Sequence, residues 1–561
     1  MADIPPSSEE REVLKFLDAV DAEAEADKNE VSRPWAENLR QVRGDQWRIE
    51  RAPYFMANII KNQVKRKVAG LTESKPQITV SARKAGLSKS EQVVYNSVKA
   101  IWDRSQTEDA LYRMAFFGMS VGCGFLRTVY DPIRDDVFIE FVDPRRVFID
   151  PALSSMSCLD DAQYIRVDTV APLADIRLRF PGRGQAVKSD EKYSSYNPAP
   201  KTRTSVIASV LQAMPRVYKP GGSPKAGPIP RAELSEYWIA DLSIGHDGGL
   251  LFPGGRRIVR AGNVLLVDEA NPYWDGKQPL EGFEWDIDFD KPWGMDDVQD
   301  LRRLQEAINR AGDAWIKNLL VGSNFKIIAD LDALDQDQWD KVTNEAGLTI
   351  KKKPQREFRY EPPVQLGAEV PQAIEGLIRL CNLLTGNSEA SGAGMVKESS
   401  DLEGLQQAPQ LLTRAVARRL ETMLERVGQK LISRVFQFFT SDRVLHQQGS
   451  SHAWVAYTFE RQKLLQDDTG KFRSKEELKK MWQDYRFMVT PGSSLASTRI
   501  KRTMTALQLR TATGVAPSVR RILAEADIGD PEELIKEGLA EIKWLQDQGW
   551  SPPVPRGRGG R

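Results

Sequence analysis

The sequence predicts a mainly helical α+β chain, and three observations carry that class. Two long runs place apolar residues at every third or fourth position: Val298, Leu301, Leu304, Ile308, Ala311, Trp315 and Leu319, then Leu412, Val416, Leu420, Met423, Val427, Leu431, Val435 and Phe439. That spacing marks a helix with one buried stripe. Upstream of both, Leu234–Leu242, Arg257–Arg260 and Val264–Val267 alternate or run apolar between glycine-bearing turns, the pattern of a small β-meander. Between the two helices, Leu384–Gln407 is small, polar and glycine-bearing, with no apolar period. Pro409–Thr440 read as one helix would be a rod of roughly 50 Å at 1.5 Å per residue. Its other faces carry Arg414, Arg418, Arg419, Arg426, Lys430 and Arg434 against Glu421 and Glu425, so a basic, half-buried rod is expected. A loop feeding such a rod suits contact with something passing by; an ordinary surface loop ahead of a core helix is the alternative.

Composition bounds the rest. The 561 residues predict about three to four domains. Apolar residues make up 41% and aromatics 8%, enough for real cores, and the formal net charge is +1. No global field draws nucleic acid or an acidic membrane, so basic function must come from local patterning. Cys123, Cys158 and Cys381 stand far apart, which argues against disulfides and a structural zinc site and fits a reducing compartment. No apolar run approaches the ~18 residues of a membrane span. The acidic, polar start, MADIPPSSEEREVL, is not a signal peptide.

In chain order, Glu9–Glu30 reads as a charged helix with a thin apolar face of Val13, Phe16, Leu17 and Val20. Trp35, Leu39, Val42 and Trp47 continue the helical pattern, and Asn58–Gly70 reads as a helix stopped by glycine. The basic cluster of that helix faces either phosphate or solvent. Lys75–Val80 holds a short strand, Ser88–Ser105 and Glu108–Met119 are helices, and Val121–Tyr130 with Val137–Val142 form a hairpin around Asp131-Pro132. Asp143–Pro151 is an extended segment between two Asp-Pro turns. Residues 182–230 are rich in Gly, Pro, Ser and Lys and read as a linker, with a helical pattern at Ser205–Met214. Pro292-Trp293-Gly294 leads into the first long helix, whose opening turn holds Asp296 and Asp297, where negative charge suits the helix dipole. Gly312 weakens its middle by about 1 kcal/mol relative to alanine and suggests a bend. Phe325–Ala329 and Leu348–Ile350 read as strands around a helix at Leu334–Glu345, and Pro371–Leu384 as a helix. After the rod, Trp454–Phe459 and Tyr485–Val489 are strands, while Pro491–Ala512, Ser518–Ala526 and Pro531–Gln548 are helical. The tail Pro552–Arg561 cannot bury apolar surface and is expected to be disordered.

Catalytic signatures are sparse. The sequence has no GxxxxGK[ST], no HExxH and no GxSxG, and Gly122-Cys123-Gly124 lacks the rest of a dinucleotide fingerprint. His246, His446 and His452 are too scattered for a histidine metal site. Asp286, Asp288 and Asp290 alternate in DIDFD and would share one face of a strand, as a two-metal nuclease requires; a solvated face beside Ile287 and Phe289 is the plainer reading.

The order of parts resembles the portal proteins of tailed bacteriophages, in particular the podovirus-type family. The residues that carry the resemblance are Phe141–Pro151, the Glu236–Ile239 strand, Asn271-Pro272-Tyr273, Pro292-Trp293-Gly294 before a long helix, and Leu384-Thr385-Gly386 before a Gly/Ser loop and a very long helix. It spans roughly residues 30–540. The resemblance implies a portal-type subunit with wing, stem, β-rich clip, tunnel loop and helical crown, assembling into a ring. It assigns 1–200 to the N-terminal wing, 201–217 to a first stem helix, 218–290 to the clip and 291–322 to the second stem helix. The wing continues at 323–385; 386–407 is the tunnel loop, 408–441 the wing–crown helix, 442–500 a wing β segment, and 501–561 crown and basic tail. Leu173–Phe180 is the other candidate for the first stem helix.

The same resemblance implies a structural virion protein rather than an enzyme: a homo-oligomer, typically a dodecamer, around a channel for double-stranded DNA read without sequence specificity. It needs no cofactor or metal and no membrane. The terminase large subunit and later head-tail adaptor or tail proteins would dock at the clip, through Tyr237, Trp238, Arg256 and Arg257; the major capsid and scaffolding proteins are the other partners. The ring would be assembled in the host cytoplasm and carried at the capsid vertex. Gly392, Gly394, Lys397, Ser399 and Ser400 are expected to face the DNA from the tunnel loop. A ring requires head-to-tail contacts that close, and two striped helices with a thin β-module offer surfaces that need neighbours. Duplex DNA carries about one charge per 1.7 Å, and weak contacts repeated around a ring would centre it without trapping it. The rivals are a metal-dependent nucleic-acid-processing enzyme using Asp286, Asp288 and Asp290, and a structural adaptor without a DNA channel.

Overall fold

Ser7 and Glu10 cap each other reciprocally, Glu10 N–H to Ser7 Oγ at 3.2 Å and Ser7 N–H to Glu10 Oε2 at 3.1 Å, and so start α1 (Ser8–Ser32) in the computed structural model of the chain. The structure describes residues 7–489, apart from 47–54, 74, 191–228, 245–248, 324–325, 340–341, 343–348, 362–368, 386–398, 449–453, 467–469, 471 and 473–474. The helices and tail expected beyond residue 490, and the one expected at Ser205–Met214, therefore lie outside the described residues.

The N-terminal elements are α2 (Trp35–Arg43), α3 (Ile59–Thr72), β1 (Ile78–Ala82), α4 (Ser88–Arg104) and α5 (Thr107–Val121). Then come β2 (Cys123–Asp131), β3 (Asp136–Val142), β4 (Val147–Ile149), β5 (Tyr164–Pro172), α6 (Leu173–Arg179), β6 (Arg231–Ile239), β7 (Arg256–Ala261), β8 (Val264–Ala270) and β9 (Leu280–Glu284). The second half holds α7 (Val298–Ser323), β10 (Lys326–Ala329), α8 (Gln336–Trp339), β11 (Phe358–Glu361), α9 (Glu369–Leu384) and α10 (Ser399–Phe438). It closes with β12 (Arg443–Gln448), β13 (Trp454–Phe459), α11 (Arg461–Leu465), α12 (Lys475–Met481) and β14 (Tyr485–Val489). The chain is mixed α and β, as expected, with no closed barrel among the described strands.

The expected thin β-module is larger and better covered than its sequence suggests. β6, β7 and β8 extend an antiparallel sheet of order β4-β5-β6-β7-β8, so strands from the expected wing complete it. β5 escapes sequence reading because Arg166 and Asp168 interrupt its apolar run. Both are buried beneath α1, where Arg166 meets Asp21 at 2.6 Å, Glu25 at 3.0 Å and Asp168 at 2.9 Å. Tyr237 OH donates to the same Asp21 at 2.8 Å, and Arg260 pairs with it too. One carboxylate of α1 thus gathers side chains from three strands.

A second sheet, β3-β2-β9, divides two cores. Leu126 and Phe283 join the larger core with the stripe of α10; Cys123, Phe125 and Leu280 join the smaller one with Trp35 and Trp293. β1 pairs with β14, Ile78 opposite Val489, and so ties the N-terminal helices to the segment after α10. β12 pairs with β13, and β10 with β11. The partner of β10 is Phe358–Glu361; of the strand expected at Leu348–Ile350, residue 348 lies outside the described residues and Thr349 and Ile350 are in no strand, and the helix expected at Leu334–Glu345 is described at Gln336–Trp339. α6 (expected as Leu173–Phe180) has seven residues and buries Leu173 and Ile176 beside β5.

Both long helices form. The described stripe of α10 is buried throughout, from Val416 to Phe439, with Ala417, Leu424, Ile432 and Phe436 buried beside it. Each large apolar side chain so buried contributes about 1.5–3 kcal/mol. In α7, Gly312 marks a close approach rather than a break: a Cβ there would stand 2.1 Å from the Phe55 ring. Gln305, fully buried, accepts from Ile59 N–H at 2.9 Å and donates to Ala57 O at 2.6 Å, so α7 caps the start of α3.

Lys28 lies on the buried face of α1 at 4% exposure, donating to Val147 O, with Nζ 3.7 Å from the centre of the Phe148 ring. Burial lowers its pKa from the ordinary 10.5 to about 7. The unfolded chain then binds the extra proton between these values, so this group makes stability rise with pH above 7. Wild type is expected to gain about 2 kcal/mol more than Lys28→Met between pH 7 and 9. Urea denaturation at the two pH values measures it; parallel pH profiles would contradict it.

Candidate functional site

The organising feature is one face of α10 laid antiparallel along the segment 272–286. Gln437 Nε2 donates to Pro272 O at 2.6 Å and its Oε1 accepts from Trp274 N–H at 3.0 Å. Arg434 pairs with Asp275 and lies 3.8 Å from the centre of the Tyr273 ring. Lys430 reaches Glu281 at 2.7 Å, Asp160 at 2.8 Å and Leu280 O at 2.9 Å. Arg426 holds Glu281 at 2.8 Å and Gly282 O at 3.2 Å, and Arg419 reaches Trp285 O and Asp286.

These ion pairs are internal. Arg434 and Asp275 have side chains 0% and 1% exposed, and Lys430 and Glu281 are each 2% exposed. Burial by itself would raise the Asp160 carboxyl, but Lys430 and Lys277 hold it below its ordinary value. The expected basic rod is thereby corrected. Arg426, Lys430 and Arg434 follow one another at four-residue spacing and turn inward onto carboxylates of β9, the 3₁₀ turn Met156–Asp161 and the turn at Asp275. Arg418 remains exposed.

α10 begins at Ser399, so Ser399 and Ser400, expected in the preceding loop, are its first two residues, and the helix runs through Pro409. Gly392, Gly394 and Lys397 lie outside the described residues. The near foot of that loop is Thr385, whose one hydroxyl hydrogen is shared between Cys381 O at 2.9 Å and Gln63 Oε1 at 3.1 Å; Gln63 Nε2 donates to Asn382 Oδ1 at 2.5 Å. α3 therefore anchors the end of α9 where the loop departs. α9 packs along α7, and the pair leaves Leu319, Leu380, Leu383 and Leu384 exposed.

The residues expected to dock partners are placed otherwise. Tyr237 is fully buried, and burial, with Asp21 beside it, pushes its phenol up. Trp238 is buried and stacks on Tyr273 at 5.6 Å. Neither can form a docking surface from this position. Arg256 is held by Asp268 at 2.6 Å and Asp241 at 3.3 Å, and Arg257 by Glu236 at 2.7 Å and Glu269 at 3.0 Å. Asp286, Asp288 and Asp290 are not strand residues, since β9 ends at Glu284. Asp286 contacts Arg419, and Asp288 accepts from Asp290 N–H at 2.9 Å. No group of three or more His, Cys, Asp or Glu side chains suits a metal ion among the described residues. The carboxylates that α10 pairs with, Asp160, Asp275 and Glu281, were not singled out from sequence. A glutamate inside the apolar run Pro279–Trp285 is the one signal that would have found them.

A family model described as phage P22-like portal protein matches residues 17–240 and 270–542. The chain belongs to that family. Portal membership covers α1 through β6 and resumes at β8's last residue, so β7 and nearly all of β8 fall in the unmatched stretch. Arg256 and Arg257 thus lie outside the part shared with the portal family. Among solved structures, a chain of the "Virion of native gene transfer agent (GTA) particle" aligns at 9% identity and TM-score 0.42, covering 87% of this chain and 92% of that one. A chain of the "Neck of empty GTA particle computed with C6 symmetry" aligns at 9% identity and TM-score 0.42, covering 88% and 93%. No curated protein matches the sequence.

In this portal subunit the α10 contacts predict a sharp energetic asymmetry. Arg434→Met strands a buried Asp275 carboxylate and is expected to cost about 3–5 kcal/mol. Adding Asp275→Asn, which keeps the acceptor for Lys277 N–H, should recover more than half of it. Denaturant midpoints of the two variants decide this; an equally unstable double variant would contradict it.

Proposed function

We propose that this chain forms a closed ring around a channel for double-stranded DNA at one capsid vertex, through which the genome is packaged and ejected. The observation that carries the reading is the portal-family match over most of the chain. The described architecture supports it: two long helices, α7 and α9, lie together, and the loop expected to face DNA departs from Thr385 and returns at Ser399. A loop tethered at both feet to the body can reach into a bore without leaving its scaffold.

In this reading the stem is α7 with α9, and the clip is the small unit around β10 and β11 that joins them. This replaces the expectation of a clip at 218–290. Support comes from burial: the five-stranded sheet is closed over by α1, whereas the β10–β11 unit keeps Ile328 and Leu331 exposed, Leu331 at 97%. Terminase and later adaptor or tail proteins would dock on that unit, and capsid and scaffolding proteins on the outer wing.

Images of the purified full chain in negative stain should show rings with a hole wide enough for a double helix; solid particles would overturn the reading. Deleting Gly392–Lys397 should leave rings intact while lowering the yield of DNA-filled heads by an order of magnitude or more. Filled heads at wild-type yield would refute a DNA-facing role for the loop.

A further inference from the structure

Two surface features have no role so far. The first is the loop Asp286–Asp290. Phe289 is 92% exposed at its tip, with Ile287 at 42% and Met295 at 47% beside it. Asp290 is exposed, Asp288 half-buried, and neither makes an ion pair among the described residues. The feet of this loop are rigid. Trp285 N–H donates to Gly122 O at 2.8 Å and Met295 N–H to Asp286 O at 3.0 Å. Trp293 is buried against Trp35, its Nε1 donates to Asp27 at 3.0 Å, and Lys291 holds Glu30 at 2.8 Å. Gly122 and Gly294 meet backbone to backbone, where a Cβ on Gly122 would lie 2.5 Å from Gly294 O. A phenyl ring held in water by such a frame is a fixed acidic knob.

The second feature is the outer stripe of α3. Lys61, Asn62, Lys65, Arg66 and Ala69 are all exposed, and its three cations have no acidic partner among the described residues. At 3.6 residues per turn this stripe lies on the side of α3 opposite Lys67. Lys67 points inward, to Asp297 at 2.6 Å and to the Trp285 ring at 5.4 Å. Trp285 is the foot of the knob. The acidic knob is therefore rooted on the side of α3 opposite the cationic stripe.

We infer that the Phe289 knob of one subunit seats on the α3 stripe of the next copy of this chain. A head-to-tail ring needs two different, complementary patches, and these two are complementary in charge, with an exposed ring on one and exposed aliphatic stems on the other. Phe289 packs on the aliphatic stems of Lys61 and Lys65 over Ala69, with the cations against its face, while Asp288 and Asp290 meet Lys65 and Arg66. Like charges brought together at such a joint work against association. The inference rests on the ring reading above but names a joint that the reading does not supply.

Charge reversal tests it by mass photometry of purified full-length protein, with circular dichroism as the check on folding. Asp290→Lys and the pair Lys65→Glu, Arg66→Glu should each lower the ring fraction at least tenfold, and combining them should restore rings. Phe289→Ala, at an exposed position that folding does not need, should also lower it. A disulfide between Asp290→Cys and Lys65→Cys should join neighbouring subunits into a ladder on oxidation. Folded charge-reversed variants that still form rings, or a combination no better than its parts, overturn the joint while leaving the ring reading in place. Stripe variants that keep rings but lose affinity for duplex DNA overturn it in favour of nucleic acid as the occupant. A wild-type chain that stays monomeric overturns the ring reading and the joint with it.

Discussion

The fold depends on the inward pairing of Arg426, Lys430 and Arg434 with Glu281, Asp160 and Asp275, in which Lys430, Arg434, Glu281 and Asp275 are buried. Charges of both signs are removed from water here, and the cost of doing so is offset only when each keeps its partner. That condition fixes register: α10 cannot slide or turn against the 272–286 segment without stranding an ion. Apolar packing alone tolerates such slippage, because one leucine contact replaces another at little cost. The ion pairs therefore select one placement of the long helix among several that the hydrophobic stripe would accept.

Other cations of this near-neutral chain are spent on internal partners in the same way. Arg419, Arg426, Lys430 and Arg434 of α10 are held by internal partners, as are Arg166 and Arg260 beneath α1 and Arg256 and Arg257 between strands. The α3 stripe is different: Lys61, Lys65 and Arg66 are exposed, with no acidic partner among the described residues.

Much of the fold is legible in the primary structure because periodicity survives translation into burial. The α10 stripe from Val416 to Phe439, the β2–β3 hairpin, and β1, β13 and β14 are where residue spacing places them. What stays hidden shares one physical cause: a polar residue buried with a partner distant in sequence looks exposed until the partner is seen. β5 is masked by Arg166 and Asp168, and β9 by Glu281. Ser399 and Ser400 open a helix that the polar composition of the preceding stretch does not announce. Tyr237 and Trp238 look like an aromatic docking surface, yet Asp21 and Tyr273 had already claimed them.

By itself the sequence determined the class of the chain, the existence of its long helices, the order of parts that resembles the portal family, and the glycine-bearing loop ahead of α10. Those features rest on local spacing and composition, which need no knowledge of distant neighbours. Tertiary structure alone decided which way the charges face, because the sign of a side chain is written in the sequence whereas its partner is chosen by the fold. It also decided that strands from either side of residues 191–228 share one sheet, and that the loop bearing Phe289 is rooted on the side of α3 away from its cationic stripe.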